Sequence, residues 1–529
     1  MAEDTNPKQR DWKRRESFGS AVAQIAVVGL LLAGAVYFIY ARGTKKKETT
    51  ERLKEARALA LRDNPKDLRA ALAKLDELFE IDSSNADALA VAAGLHTELW
   101  LIHKVPGEDA KAKELLVKAE AKESNAEERY ASRALHLLAE GKAAEADAYI
   151  DELRKKGASS ARLWHAVGRA QQELGNLSMA KQALAQAMDK AWKDPRFGTA
   201  FGEALIDEGN YLQALDALTK TLNANPDHFR ARLAASLAYI HRKDRVKDAS
   251  DTVEDILSRD AELTPGIKAR ALAVKAELAN FEGRHDDAVK TAQMALAIHP
   301  DEHVALLAKA RALGLTKDAA ASDAFKAAVA KRPTAPAIYF DGATLLQGAG
   351  NHEEAMALLS SYETTFSKVK ATLPDGKEVP ALSRDDRYWL TRGDILREAG
   401  KLDDAMSAYD KAVAAENVNL VKAHYARGAL LLQKGEVDKA MEALAQITPP
   451  DGSGSLAEAY VAMGDTQFAK KMFAEGCQNF AFALAKLKTQ QAPREKLNGL
   501  LEDVNRRLVA ANQRPMAKLW MEEAKPIIQ

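Results

Sequence analysis

GEALIDEGNYLQALDALTKTLNANP, residues Gly202 to Pro226, is the stretch on which the fold turns. Small residues stand at Gly202, Gly209 and Ala214, large apolar ones at Leu205, Tyr211 and Leu218, and a proline closes it. The pattern predicts a helical hairpin. Gly202 and Ala214 are small where two helices cross closely. Gly209 sits in the turn, where a positive φ is easy without a Cβ. Leu205 and Leu218 fill the space around the crossing, and Pro226 ends the second helix.

The pattern recurs. Gly168, Gly175, Ala180 and Leu184 stand 34 residues before Gly202, Gly209, Ala214 and Leu218. Gly283, Ala288, Ala295 and Pro300 repeat its second half, as do Gly350, Ala355 and Leu359. Trp389, Gly393, Leu396, Gly400, Ala405, Tyr409 and Ala412 give the fullest copy, and Gly428, Leu431, Gly435, Ala440 and Leu444 follow it. Weaker copies lie upstream at Gly141, Ala146, Ile150 and Leu153, and at Ala71, Leu75 and Leu78. A fixed period of this length marks a repeat architecture.

With Trp164 and Trp389 in the Trp place, Gly168, Gly202, Gly393 and Gly428 in the Gly place, Tyr409 in the aromatic place and Pro226 and Pro300 closing, the chain resembles the tetratricopeptide repeat (TPR) family. The resemblance implies an all-α superhelical solenoid of about ten or eleven hairpins, held mainly by contacts between neighbouring repeats. The expected layout is a polar tail at 1–17, a transmembrane helix at 18–41, a solenoid at 42–490 and capping helices at 491–529. Pro374-Asp375-Gly376 and Pro380 predict a loop insertion at about 366–386. PPDGSGS predicts a flexible joint at 449–455. Gly476 and Cys477 mark a degraded repeat beyond it.

The chain's 529 residues are 47% apolar and only 6% aromatic, which favours closely packed helices over a sheet-rich core. Seventy-six basic residues balance 76 acidic ones, so no global charge points to nucleic acid. The single cysteine, Cys477, excludes an internal disulfide and any multi-cysteine metal site. The alanine-rich composition resembles that of bacterial proteins.

From Phe18 to Tyr40 the sequence carries no formal charge, and its length matches a hydrocarbon core of roughly 30 Å. Phe18 opens this anchor, Tyr37 and Tyr40 mark one interface and Trp12 the other. A cleaved signal peptide is the competing reading; the bulky residues of VYFIYARG stand against it. Lys8, Arg10, Lys13, Arg14 and Arg15 precede the run, and Arg42, Lys45, Lys46, Lys47, Arg52, Lys54 and Arg57 follow it, so the basic counts nearly cancel. The basic tail is hard to pass across a bacterial membrane, which favours a cytoplasmic N-terminus and a periplasmic solenoid. A cytoplasmic solenoid is the alternative.

Catalytic motifs are missing or broken. There is no phosphate-binding GxxxxGK[ST] and no GxGxxG after a strand. NHEEAM has Met356 where a zinc helix needs its second histidine, and His299 and His303 straddle the proline between repeats. Neither a cofactor nor a metal nor a small-molecule substrate is expected, and the chain reads as a binding protein rather than an enzyme.

In the TPR resemblance the second position of the first helix faces the concave groove. Arg162, Arg196, Arg230, Arg270, Arg387 and Lys422 occupy it, and Arg169, Arg397 and Tyr425 are assigned to the same groove. These residues are expected either to hold an acidic or carboxylate-bearing protein segment or to be neutralised internally, with Glu203, Glu277 and Asp394 as candidates. The Lys/Asn clamp of chaperone-binding TPRs is not found. The function expected is a membrane-anchored scaffold or assembly factor of a bacterial envelope complex. The alternatives are a cytoplasm-facing adaptor, a regulatory subunit of a membrane enzyme, or a spacer that oligomerises through Gly29 and Ala33.

Overall fold

The computed structural model describes residues 18–372 and 377–528. The tail with Trp12 and its five basic residues, and the Pro374-Asp375-Gly376 turn, lie outside the described residues. Within them the fold is an all-α solenoid: 26 α-helices and one two-stranded sheet. The chain forms two compact units. One runs to Glu98 and adds Gly107–Ser132; the other comprises Leu99–Pro106 and Arg133–Gln529.

In the first unit one uninterrupted helix spans Phe18–Ala60. No break falls at the expected end of the apolar run. Leu30, Tyr37 and Tyr40 are each more than 70% exposed, and the helix is long and apolar enough to cross a membrane. Its C-terminal end turns amphipathic. Ala56 and Ala60 are buried, and this end packs on the helix Pro65–Ile81, which buries Leu68, Ala71, Leu75 and Leu78.

In the second unit nine consecutive hairpins run from Ala161 to Thr489 among the described residues. The opening stretch forms the helices Pro195–Asp207 and Tyr211–Ala224. Asp194 caps the first through the Arg196 amide, and Pro195 follows at the first helical position. Gly209 takes φ +83°, and Leu205, Ala214 and Leu218 are fully buried. A Cβ on Gly202 would lie 2.6 Å from Leu218 Cγ, so only glycine lets these helices cross at this distance. Where glycine is missing from the turn, lysine takes its left-handed conformation: Lys243 and Lys317 at φ +57° and Lys471 at φ +62°.

The superhelix of this unit is tightly wound. Asp207, ending one helix, pairs with Arg332 across 125 residues of sequence. Gly175 faces Phe366 and Val369. Arg387 reaches back to the Glu208 carbonyl at 3.3 Å and lies over the Phe340 ring, filling the space beside Gly209. Solenoid layers one superhelical turn apart therefore touch.

Three expectations are corrected. The insertion at 366–386 is not simply a loop: Lys370–Thr372 pairs antiparallel with Glu378–Pro380, and a 3-10 turn follows at Ala381–Arg384. The segment 449–455 is fastened, with the Gly454 amide donating to the Tyr460 hydroxyl at 2.8 Å and that hydroxyl donating to the Pro449 carbonyl. Gly476 and Cys477 lie inside a regular helix, Phe473–Thr489, where Gly476 admits the Phe468 ring. The helices Arg494–Ala510 and Arg514–Ile528 then cover that helix with Leu497, Leu501, Leu508 and Trp520.

Candidate functional site

The inner faces of successive first helices carry the charges. Ser160, Asp194 and His228 cap three successive first helices through side-chain acceptors, and Arg162, Arg196 and Arg230 are the second residues of those helices. Arg230 grips Glu203 with both forks of its guanidinium, at 2.8 and 2.5 Å. Arg270 donates to Glu302 at 2.7 Å and stands 3.6 Å from Glu203. Arg196 is buried against Asp194 at 2.8 Å. Burial alone would push the Glu203 carboxyl up, but Arg230, Arg270 and Arg169 together hold it at about 2.

The nine groove residues do not form one ladder. Arg169, Arg196, Arg230 and Arg270 share the interior, and Arg387 is spent on a backbone carbonyl and an aromatic face. Arg162 belongs to the same field, since its charge helps to depress the His165 imidazole. Arg397 stands 3.6 Å from Glu398, and Tyr425 lines a separate open cavity of about 510 Å³ with Glu458, Asp465 and Lys496. Lys422 is exposed. Of the three acids weighed as internal partners, Glu203 serves Arg230 and Arg270. Glu277 serves Arg311 instead, at 2.6 Å, and Asp394 accepts from the Tyr409 hydroxyl.

A cavity of about 280 Å³ opens at the centre of this network. Six cations line it, Lys104, Arg169, Arg230, Arg270, Lys331 and Arg332, against three carboxylates. Lys104, Lys331 and Arg332 were not legible as site residues. Lys104 comes from the segment Leu99–Pro106, and the other two from the end of a second helix. His299 and His303 also line the cavity. Burial first, then Arg270, Arg332 and Arg169, pushes the His303 imidazole well below its usual range. Among the described residues no group of three or more His, Cys, Asp or Glu is arranged to hold a metal.

Comparison with known proteins agrees with the repeat. Tetratricopeptide repeat profiles match residues 161–189, 205–269 and 390–455. No curated protein matches the sequence. Among solved structures, a human IFIT1 dimer with PPP-AAAA is 16% identical, covering 76% of this chain and 94% of that one, with a TM-score of 0.43. The APC/C hetero-tetramer Cut9-Hcn1 is 14% identical, covering 83% and 94%, with a TM-score of 0.38.

Proposed function

We propose that this chain, which carries tetratricopeptide repeats at residues 161–189, 205–269 and 390–455, is a membrane-anchored scaffold that holds protein partners beside a bacterial inner membrane, with the solenoid in the periplasm. One observation carries the anchor. In the apolar half of the helix Phe18–Ala60 the large side chains from Val22 to Tyr40 are at least half exposed, whereas the solenoid helices each bury a face. Lipid is the cover whose thickness matches an apolar run of this length. The fold itself is a protein-binding one, with repeat surfaces free for partners.

The surfaces left for a protein partner are those not consumed internally, namely exposed Lys422 and the open cavity beside Tyr425. An acidic or carboxylate-bearing segment is the partner that suits exposed Lys422. The test is topology. A periplasm-active phosphatase fused after Gln529 should be active, and the protein should resist carbonate extraction. A cytoplasm-only fluorescent protein glowing at the same position would reverse the orientation and favour a cytoplasm-facing adaptor, the reading supported by the basic stem from Arg42 to Arg57. Release by carbonate would end the anchored reading altogether.

A further inference from the structure

We propose that the central cavity of the second unit is a binding site for a phosphate-type dianion, held by Arg169 and Lys104. The inference does not rest on the membrane anchor or on any protein partner.

The charges decide it. The cavity's carboxylates are already engaged: Glu203 by Arg230 and Arg270, Glu302 by Arg270, and Asp301 by Lys331 at 2.7 Å. Arg332 is satisfied by Asp207, outside the lining. Arg169 and Lys104 remain. Neither makes an ion pair or a side-chain hydrogen bond among the described residues. Both are half-buried and line the same cavity. Burial pushes the Arg169 guanidinium down to about 10; Arg332 and Arg230 add to the fall, and the nearby Glu173 and Glu203 oppose it without pairing with it. Burial also lowers the Lys104 ammonium, Glu302 and Asp301 opposing the fall and Arg169 and Arg270 adding to it. Two unmatched, partly desolvated cations repel each other and destabilise the empty protein.

The backbone that carries Lys104 is fastened. Its segment docks on the start of the helix Pro265–Phe281, where the Gly266 amide donates to the His103 carbonyl at 2.8 Å. His103 Nδ1 lies 3.0 Å from Thr264 Oγ1. A Cβ on Gly266 would strike the Ile102 carbonyl, so glycine is needed for this approach. Lys104 itself takes φ +55°, a conformation a lysine adopts at a cost. An ammonium on a fastened backbone and a planar guanidinium fork suit a tetrahedral oxyanion. Two unmatched charges call for a dianion. A volume of about 280 Å³ admits a phosphate group with its first substituent or a few waters, not a folded segment.

The test is calorimetric titration and thermal unfolding of the full chain in detergent, with inorganic phosphate against chloride at matched ionic strength. Wild type should bind phosphate saturably, and its unfolding midpoint should rise. The Arg169→Gln/Lys104→Gln double variant should lose at least about tenfold in affinity. Its midpoint without phosphate should rise above wild type, since the repulsion is gone. The surface variant Lys290→Gln should behave as wild type. Phenyl phosphate forms a second arm: equal or tighter binding identifies a phosphomonoester as the ligand, and binding of inorganic phosphate alone identifies the free ion. No response beyond chloride, an undiminished response in the double variant, or a double variant less stable without phosphate would each overturn the site.

Discussion

At Gly202 the packing of a whole hairpin rests on the lack of one methyl group. A Cβ there meets Leu218, itself fully buried, so neither helix can retreat cheaply. Gly202→Ala should cost about 1–3 kcal/mol in chemical denaturation; an unchanged midpoint would mean the crossing is loose. Acid response is also set by single residues. His165 lies among Arg162, Arg169, Arg196 and Arg230, His241 beside Arg311, and His303 among Arg270, Arg332 and Arg169. In each case burial, then these cations, depresses the folded imidazole well below its usual range. The unfolded chain therefore takes up protons first, below about pH 6.5. Stability is full above that value and falls as the pH drops, each histidine adding up to about 1.4 kcal/mol per pH unit. Denaturation at pH 7.5 and 5.5 should show the loss, and His303→Asn should flatten it. An identical slope in that variant would remove His303 from the account.

At the scale of elements, each helix pair covers the apolar face of the one before, and the last must be covered by something else. The helices Arg494–Ala510 and Arg514–Ile528 do this, shielding Phe480, Leu484 and Leu487. Ending the chain after Gln491 should expose that face. The shortened protein should elute as higher-order species in size exclusion, while its remaining helical signal persists. A monodisperse product would mean the terminal helices are dispensable.

For the molecule as a whole, the decisive contact is the return of the superhelix in the second unit onto itself. Arg332 and Asp207 are both largely buried; Asp207 is the carboxylate that Arg332 pairs with directly, Glu173 and Glu203 act on it from further off, and His303 stands 3.9 Å from Asp207. Asp207→Ala leaves a guanidinium uncompensated in the interior, a loss of about 3–5 kcal/mol. Denaturant unfolding reads it, and a loss below 1 kcal/mol would show that the layers are held by apolar contacts alone.

The repeat was legible in the sequence because its constraints are local. A turn glycine, a small crossing residue and a leucine opposite it must recur wherever two helices cross closely, and Gly168, Gly202, Gly393 and Gly428 do. The copies with Lys243 and Lys317 in the turn are not legible by the glycine pattern, and the copy with Lys471 reads as degraded, since lysine takes the left-handed conformation there without a glycine to mark it. The apolar run from Phe18 to Tyr40 was equally plain, being a matter of length and composition. What only the tertiary structure decided was the fate of the inward arginines. The groove register is local, but the superhelical pitch is a sum of small rotations over many repeats, and no single repeat encodes it visibly. That pitch brings Arg332 to Asp207 and Lys104 beside Arg169's field. It turns four rungs of the expected ladder into an interior network, and it leaves two cations there that make no ion pair among the described residues.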